Sequence, residues 1–172
     1  MLVWSQTVTD RSQSDVDRML ELLQKGWDNF NVDEKTEWLA GMKGALNRSD
    51  MQRIQNNTKL LSDVLELNLT VADVPEHPNE TFLMSVINNT EVIRNAYMIH
   101  GDTPQTPSMP VNTYQKMNDI DKILDDVYGI LLNNFNYYCG SEIYAGDDTG
   151  LLLEEERTYY GIYKENMEKS NC

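Results

Sequence analysis

The 172-residue sequence is poor in cysteine, histidine, proline and basic side chains, and it has no long apolar run. Its two cysteines, Cys139 and Cys172, stand far apart, so no disulfide framework is expected and a reducing site of synthesis fits. With His77 and His100 they are spaced by 23, 39 and 33 residues. A Cys2His2 zinc site needs close ligand pairs, so no metal is expected, and no cofactor motif is present. A Cys139–histidine nucleophile pair lacks a third orienting group. No stretch approaches the ~18 consecutive apolar residues of a membrane span. The opening Met1-Leu2-Val3-Trp4-Ser5-Gln6 has neither the basic nor the long apolar region of a secretory signal. The five Asn-x-Ser/Thr sequons, at Asn47, Asn56, Asn68, Asn79 and Asn88, therefore read as polar helix-start and helix-face residues rather than glycan acceptors.

Basic residues are outnumbered two to one: 14 Lys and Arg face 28 Asp and Glu, for a net charge of −14 and a pI near 4.4. Non-specific nucleic-acid affinity comes from Lys and Arg displacing counterions, so no nucleic-acid partner is expected. An anionic membrane surface is disfavoured for the same reason. What is present is enough apolar material, 40%, to bury a core.

All five prolines lie between residues 75 and 110, leaving long proline-free windows on either side. Five windows read as helix: about Gln13–Trp27, Asp33–Met42, Arg48–Glu66, Glu80–Met98 and Thr113–Leu132. The first carries Val16, Met19, Leu20 and Leu23 on one stripe. The second can open on a capping box between Asn31 and Glu34. The last three each carry an apolar stripe at alternating spacings of three and four. The stripes are Met51-Ile54-Thr58-Leu61-Leu65, Leu83-Val86-Thr90-Ile93-Tyr97 and Met117-Ile120-Leu124-Val127-Leu131.

Candidate N-caps Ser12, Asn47, Asn79 and Asn112 recur at separations of 35, 32 and 33 residues. Ser14-Asp15-Val16-Asp17-Arg18 resembles Ser49-Asp50-Met51-Gln52-Arg53, and Asn56-Asn57-Thr58 recurs as Asn88-Asn89-Thr90. A degenerate helical repeat explains the near-fixed period, although helix plus loop often comes to this length unaided. Leu2 to Val8 alternate weakly and could add a strand. After Leu132 the chain turns aromatic, and Gly140-Ser141 between Tyr137-Tyr138 and Ile143-Tyr144 reads as a tight β-hairpin. The expected fold is mainly α, a short-helix bundle or degenerate helical repeats with a small C-terminal β-hairpin. Its expected divisions are an N-terminal helical domain (1–70), a second helical segment (71–135), and the hairpin with an acidic tail (136–172).

No catalytic constellation emerges. Asp148-Thr149-Gly150 has the letters of an aspartic-protease loop, but its approach is polar and a second copy is missing, so a solvated turn fits better. Asp119, Asp121, Asp125 and Asp126 read as a solvated acidic face partly paired with Lys116 and Lys122, the sharper alternative being a cation site. Tyr137, Tyr138, Ile143 and Tyr144 are the candidate partner-binding residues, because amphipathic rings near a turn suit contact surfaces.

One resemblance extends this reading. Arg11-Ser12-Gln13-Ser14-Asp15-Val16-Asp17-Arg18, followed by the run from Trp38 through Gly41-Met42-Lys43-Gly44, Asn47 and Asp50-Met51-Gln52-Arg53-Ile54, resembles small proteins encoded in the tail regions of Firmicutes phages and prophages. Asn57, Leu60-Leu61 and the aromatic-glycine segment at Tyr137–Gly146 extend the match, whereas the final twenty residues match nothing in it. Met51 stands where leucine is commoner. The resemblance implies a non-enzymatic virion component of the tail tip, baseplate or fibre region. It also implies assembly in the bacterial host cytoplasm, other phage tail proteins as partners, and a homo-oligomeric or multi-copy state. Two alternatives stand beside it. One is a host-surface module whose hairpin stacks on cell-wall glycan; the other is an acidic inhibitor that imitates DNA.

Overall fold

The computed structural model describes residues 3–138, with side chains through residue 134. Within these residues the fold is mainly helical, and no strand is formed. Helix α1 spans Gln13–Lys25, a 3₁₀ turn Trp27–Asn29, α2 Val32–Ala40, α3 Arg48–Val64, α4 Glu80–Ala96 and α5 Tyr114–Tyr138.

The helix starts follow the local chemistry. Ser12 accepts a hydrogen bond from the Asp15 N–H while the Asp15 carboxylate accepts one from the Ser12 N–H, a reciprocal cap. Asn31 and Glu34 form the same box at α2, and Asn79 caps α4 through the Phe82 N–H. At α5 the expected cap shifts by one residue: Thr113, not Asn112, accepts from the Lys116 N–H. Helices α1 and α2 stop at Gly26 and Gly41, whose φ values of 77° and 88° lie in the left-handed half that side chains resist.

Helices α3, α4 and α5 pack pairwise around one core. The stripes read from the sequence supply it: Met51, Ile54 and Leu61 from α3, Val86 and Ile93 from α4, and Met117, Ile120, Leu124, Val127 and Leu131 from α5. Thr58 and Thr90, in register with those stripes, are fully buried as well. A second, smaller cluster joins Leu22, Phe30 and Met42, flanked by Met19, Trp38 and Ala45.

The α1–α2 hairpin is laced by Lys25 to Glu34 at 2.7 Å and Arg18 to Glu37 at 2.9 Å. Its apolar face differs from the expected one. Leu22 is the buried leucine of α1, whereas Leu20 and Leu23 are exposed.

Val3 to Val8 form no strand. They are held by side chains of α3 and α5. The rest of the expected hairpin, residues 139–146, lies outside the described residues; Tyr137 and Tyr138 have helical backbone at the end of α5.

Candidate functional site

Arg11, Asp50, Arg53 and Asp121 converge on one place, the junction between the N-terminal arm, the α1–α2 hairpin and the three-helix core. Arg11 enters from the arm. Its guanidinium donates to Asp50 Oδ1 of α3 and to Asp121 Oδ2 of α5, both at 3.0 Å. Arg53 of α3 donates to the same two oxygens, at 2.7 and 2.8 Å. Two guanidiniums and two carboxylates thus form a closed, charge-balanced ring. Arg11 is 5% exposed and Asp121 0%.

Burial of this kind is expensive unless every charge is met. Asn47 adds a donor to Asp50 Oδ2 at 3.1 Å, while Asp121 Oδ1 meets no donor among the described residues. Burial pushes both carboxyls upward. At Asp50 the Arg53 hydrogen bond and the Arg11 charge prevail and hold it below the ordinary carboxylate range. At the deeper Asp121, burial prevails over the two arginines and the carboxyl stays raised. Both carboxylates of the ring are buried, Asp121 completely.

The arm around Arg11 is gripped by amides. Asn57 of α3 accepts from the Ser5 N–H at 2.9 Å and donates to the Ser5 carbonyl at 2.8 Å. Asn118 of α5 treats Arg11 the same way, accepting at 3.3 Å and donating at 2.9 Å. Each side-chain amide thus replaces a neighbouring strand's peptide group. Trp4 stacks on Tyr128, ring centroids 4.0 Å apart and planes 3° from parallel, and Thr7 donates to Asp125.

Asn89, the counterpart of Asn57 in the repeated Asn-Asn-Thr triplet, donates to the Thr70 carbonyl in the α3–α4 connector. Both copies of the triplet tie an extended segment to a helix. Gly44 completes the junction: a Cβ there would overlap the main chain of Asp15 and Val16 at the start of α1. Beside it Lys43 pairs with Asp10 at 2.7 Å.

These contacts correct the reading of α5 as one solvated acidic face. Asp121 and Asp126 are buried, Asp121 in the ring and Asp126 between Thr103 and Lys122. Among the described residues no group of His, Cys, Asp and Glu is arranged to hold a metal. No described helix is long and apolar enough to cross a membrane. Of the candidate contact residues, Tyr137 and Tyr138 end α5, while Ile143 and Tyr144, like Asp148-Thr149-Gly150 and both cysteines, lie outside the described residues.

Two surface features remain. Leu20, Leu23, Trp27, Val32, Leu39 and Leu46 are large apolar side chains exposed within one 27-residue stretch of the hairpin region. Leu20 and Leu23 share a face of α1, and Val32 and Leu39, 79% and 76% exposed, share a face of α2 seven residues apart. A cavity of about 420 Å³ opens between the start of α1, the 43–46 turn and the start of α5. Comparisons with protein-family models, with curated proteins and with solved structures return no match to the chain.

Proposed function

We propose that this chain is a non-enzymatic structural protein of a phage tail or baseplate, working through contacts with other tail proteins and with copies of itself. The observation that carries the reading is the exposed apolar surface of the α1–α2 hairpin. An isolated exposed leucine is ordinary; several large apolar side chains crowded into a short hairpin mark a surface that another protein covers. The motif residues support the same reading, because they build a rigid junction that holds this hairpin against the core instead of gathering around a reacting molecule.

The test is made on particles. Purified virions from a host carrying the gene should contain the chain at a fixed copy number by quantitative mass spectrometry. Particles that lack it while the protein accumulates free in the lysate would overturn the proposal.

The glycan-binding alternative predicts binding to purified cell wall that disappears on Tyr138→Ala and Tyr144→Ala. The DNA-mimic alternative is weakened by the use of Asp50, Asp121 and Asp126 in internal pairs, which removes them from any outward row of charge.

A further inference from the structure

The exposed aliphatic side chains of α1 and α2 form two rows, and the ion pairs between the helices show which way each row points. Arg18 and Lys25 mark the side of α1 that faces α2, and Glu37 and Glu34 mark the side of α2 that faces α1. At about 100° per residue, Leu20 and Leu23 average about 180° around α1 from its two cations. Val32 and Leu39 stand in the same relation to the two carboxylates of α2. All four are exposed, so the hairpin turns one apolar row outward on each of two opposite sides.

On its own helix each row has one charged neighbour at a spacing of three or four, and the signs differ. Asp17 precedes Leu20 by three residues on α1, and Lys35 lies between Val32 and Leu39 on α2. Among the described residues neither has an ion-pair partner. Asp17 accepts only from the neutral Gln13 amide, at 2.9 Å, and the Lys35 ammonium lies over the Trp27 ring, 5.5 Å from its centroid.

We infer that the chain associates with itself head to tail, the α1 row of one protomer packing on the α2 row of its partner, with Asp17 of the first meeting Lys35 of the second. A twofold contact between like rows would join two carboxylates or two ammoniums and leave the other row in water. The head-to-tail contact covers both rows and opposes unlike charges, and it repeats from copy to copy into a ring or a filament. The inference rests on the assembly reading above only for its premise that protein covers these rows; it requires no virion.

The test is sedimentation equilibrium of the full chain in about 0.15 M salt, which screens much of the repulsion between like-charged copies. Chain concentrations run up to about 1 mM, a range that reaches weak contacts. The parent should associate as concentration rises. Leu23→Glu and Leu39→Glu each spoil one row and should stay monomeric alone. Their equimolar mixture should form dimers and nothing larger, through the one intact row of each, with circular dichroism checking the fold of both. Asp17→Lys and Lys35→Asp should each weaken association about fivefold, and the two together in one chain should restore it. The inference is overturned by a parent that stays monomeric, by either leucine variant dimerising alone, by a monomeric mixture, or by charge variants that leave association unchanged. A monomeric parent alongside virions that contain the chain defeats this inference alone, whereas a dimeric mixture alongside virions that lack it defeats only the proposed function.

Discussion

Replacing Arg11 with alanine removes one of two cations from a ring whose two carboxylates stay buried. Arg11 donates to Asp50, Asp121, Asn118 and the Val8 carbonyl, and its side chain is 3% exposed. With only Arg53 left, one carboxylate charge has no counterion. Breaking a buried pair from one side costs about 3–5 kcal/mol, much of it the desolvation of the abandoned charge. Against a typical total stability of about 5–15 kcal/mol, that is a large fraction. In a chain of this size each kcal/mol moves the melting temperature by roughly 2–4 °C, so Arg11→Ala should melt about 6–20 °C below the parent.

Urea and thermal unfolding followed by circular dichroism measure the loss. Proteolysis near residues 3–11 should accelerate in parallel, since the arm loses its root. Arg11→Lys should recover only part of the loss, because an ammonium cannot span two carboxylates as a guanidinium does. A loss below about 1 kcal/mol for Arg11→Ala would refute the argument, since it would place the ring in the range of an exposed pair.

The two glycines Gly44 and Gly129 should respond in opposite directions. Gly44→Ala forces a methyl into the main chain of α1 and should destabilise by about 1–3 kcal/mol or more. Gly129→Ala meets open space within α5 and should stabilise by about 1 kcal/mol; denaturant midpoints decide both. Asn57→Ala strips both main-chain groups of Ser5 of their partner and should cost about 1–3 kcal/mol, with faster amide exchange at Ser5. Acid should loosen the junction. Asp50 is held below its unfolded value, so its contribution is complete above that value and fades as pH falls through the folded one; Asp121, raised by burial, contributes in the opposite sense. Asp10, Asp15, Glu34 and Glu91 are held low by their partners as Asp50 is, so these five outweigh Asp121 and stability measured from pH 7 downward should drop below about pH 4; a profile flat to pH 2 would contradict that balance.

Much of the fold was legible in periodicity. The stripes of α3, α4 and α5 are buried where the three-and-four spacing put them, except that Leu65, Leu83 and Tyr97 are only half-buried, because a long amphipathic helix has one face to bury and the pattern marks it. The shorter α1 carries apolar residues on more than one face. The small cluster with Phe30 and Met42 takes the Leu22 side, leaving Leu20 and Leu23 in water.

The junction was not legible, because Asp50 and Asp121 lie 39 and 110 residues from Arg11 along the chain, beyond any local rule. A signal existed even so: Asp121 sits four residues after Met117 and three before Leu124, and Asn57 three after Ile54. A polar residue locked inside an apolar stripe must find a partner, and these did. The arm escaped for a different reason. Its weak alternation suggested a strand, yet asparagine side chains occupy the places that a neighbouring strand would fill.

Under the proposed assembly role, other subunits cover the exposed Leu20, Leu23, Val32 and Leu39 of α1 and α2. The direct measurement pairs Leu23→Glu with Leu39→Glu in the phage and counts assembled, infective tails, with circular dichroism on the isolated variant as the fold control. The account predicts an unchanged spectrum and melting temperature together with tails that fail to incorporate the chain. Normal incorporation and infectivity with both charges in place would contradict it.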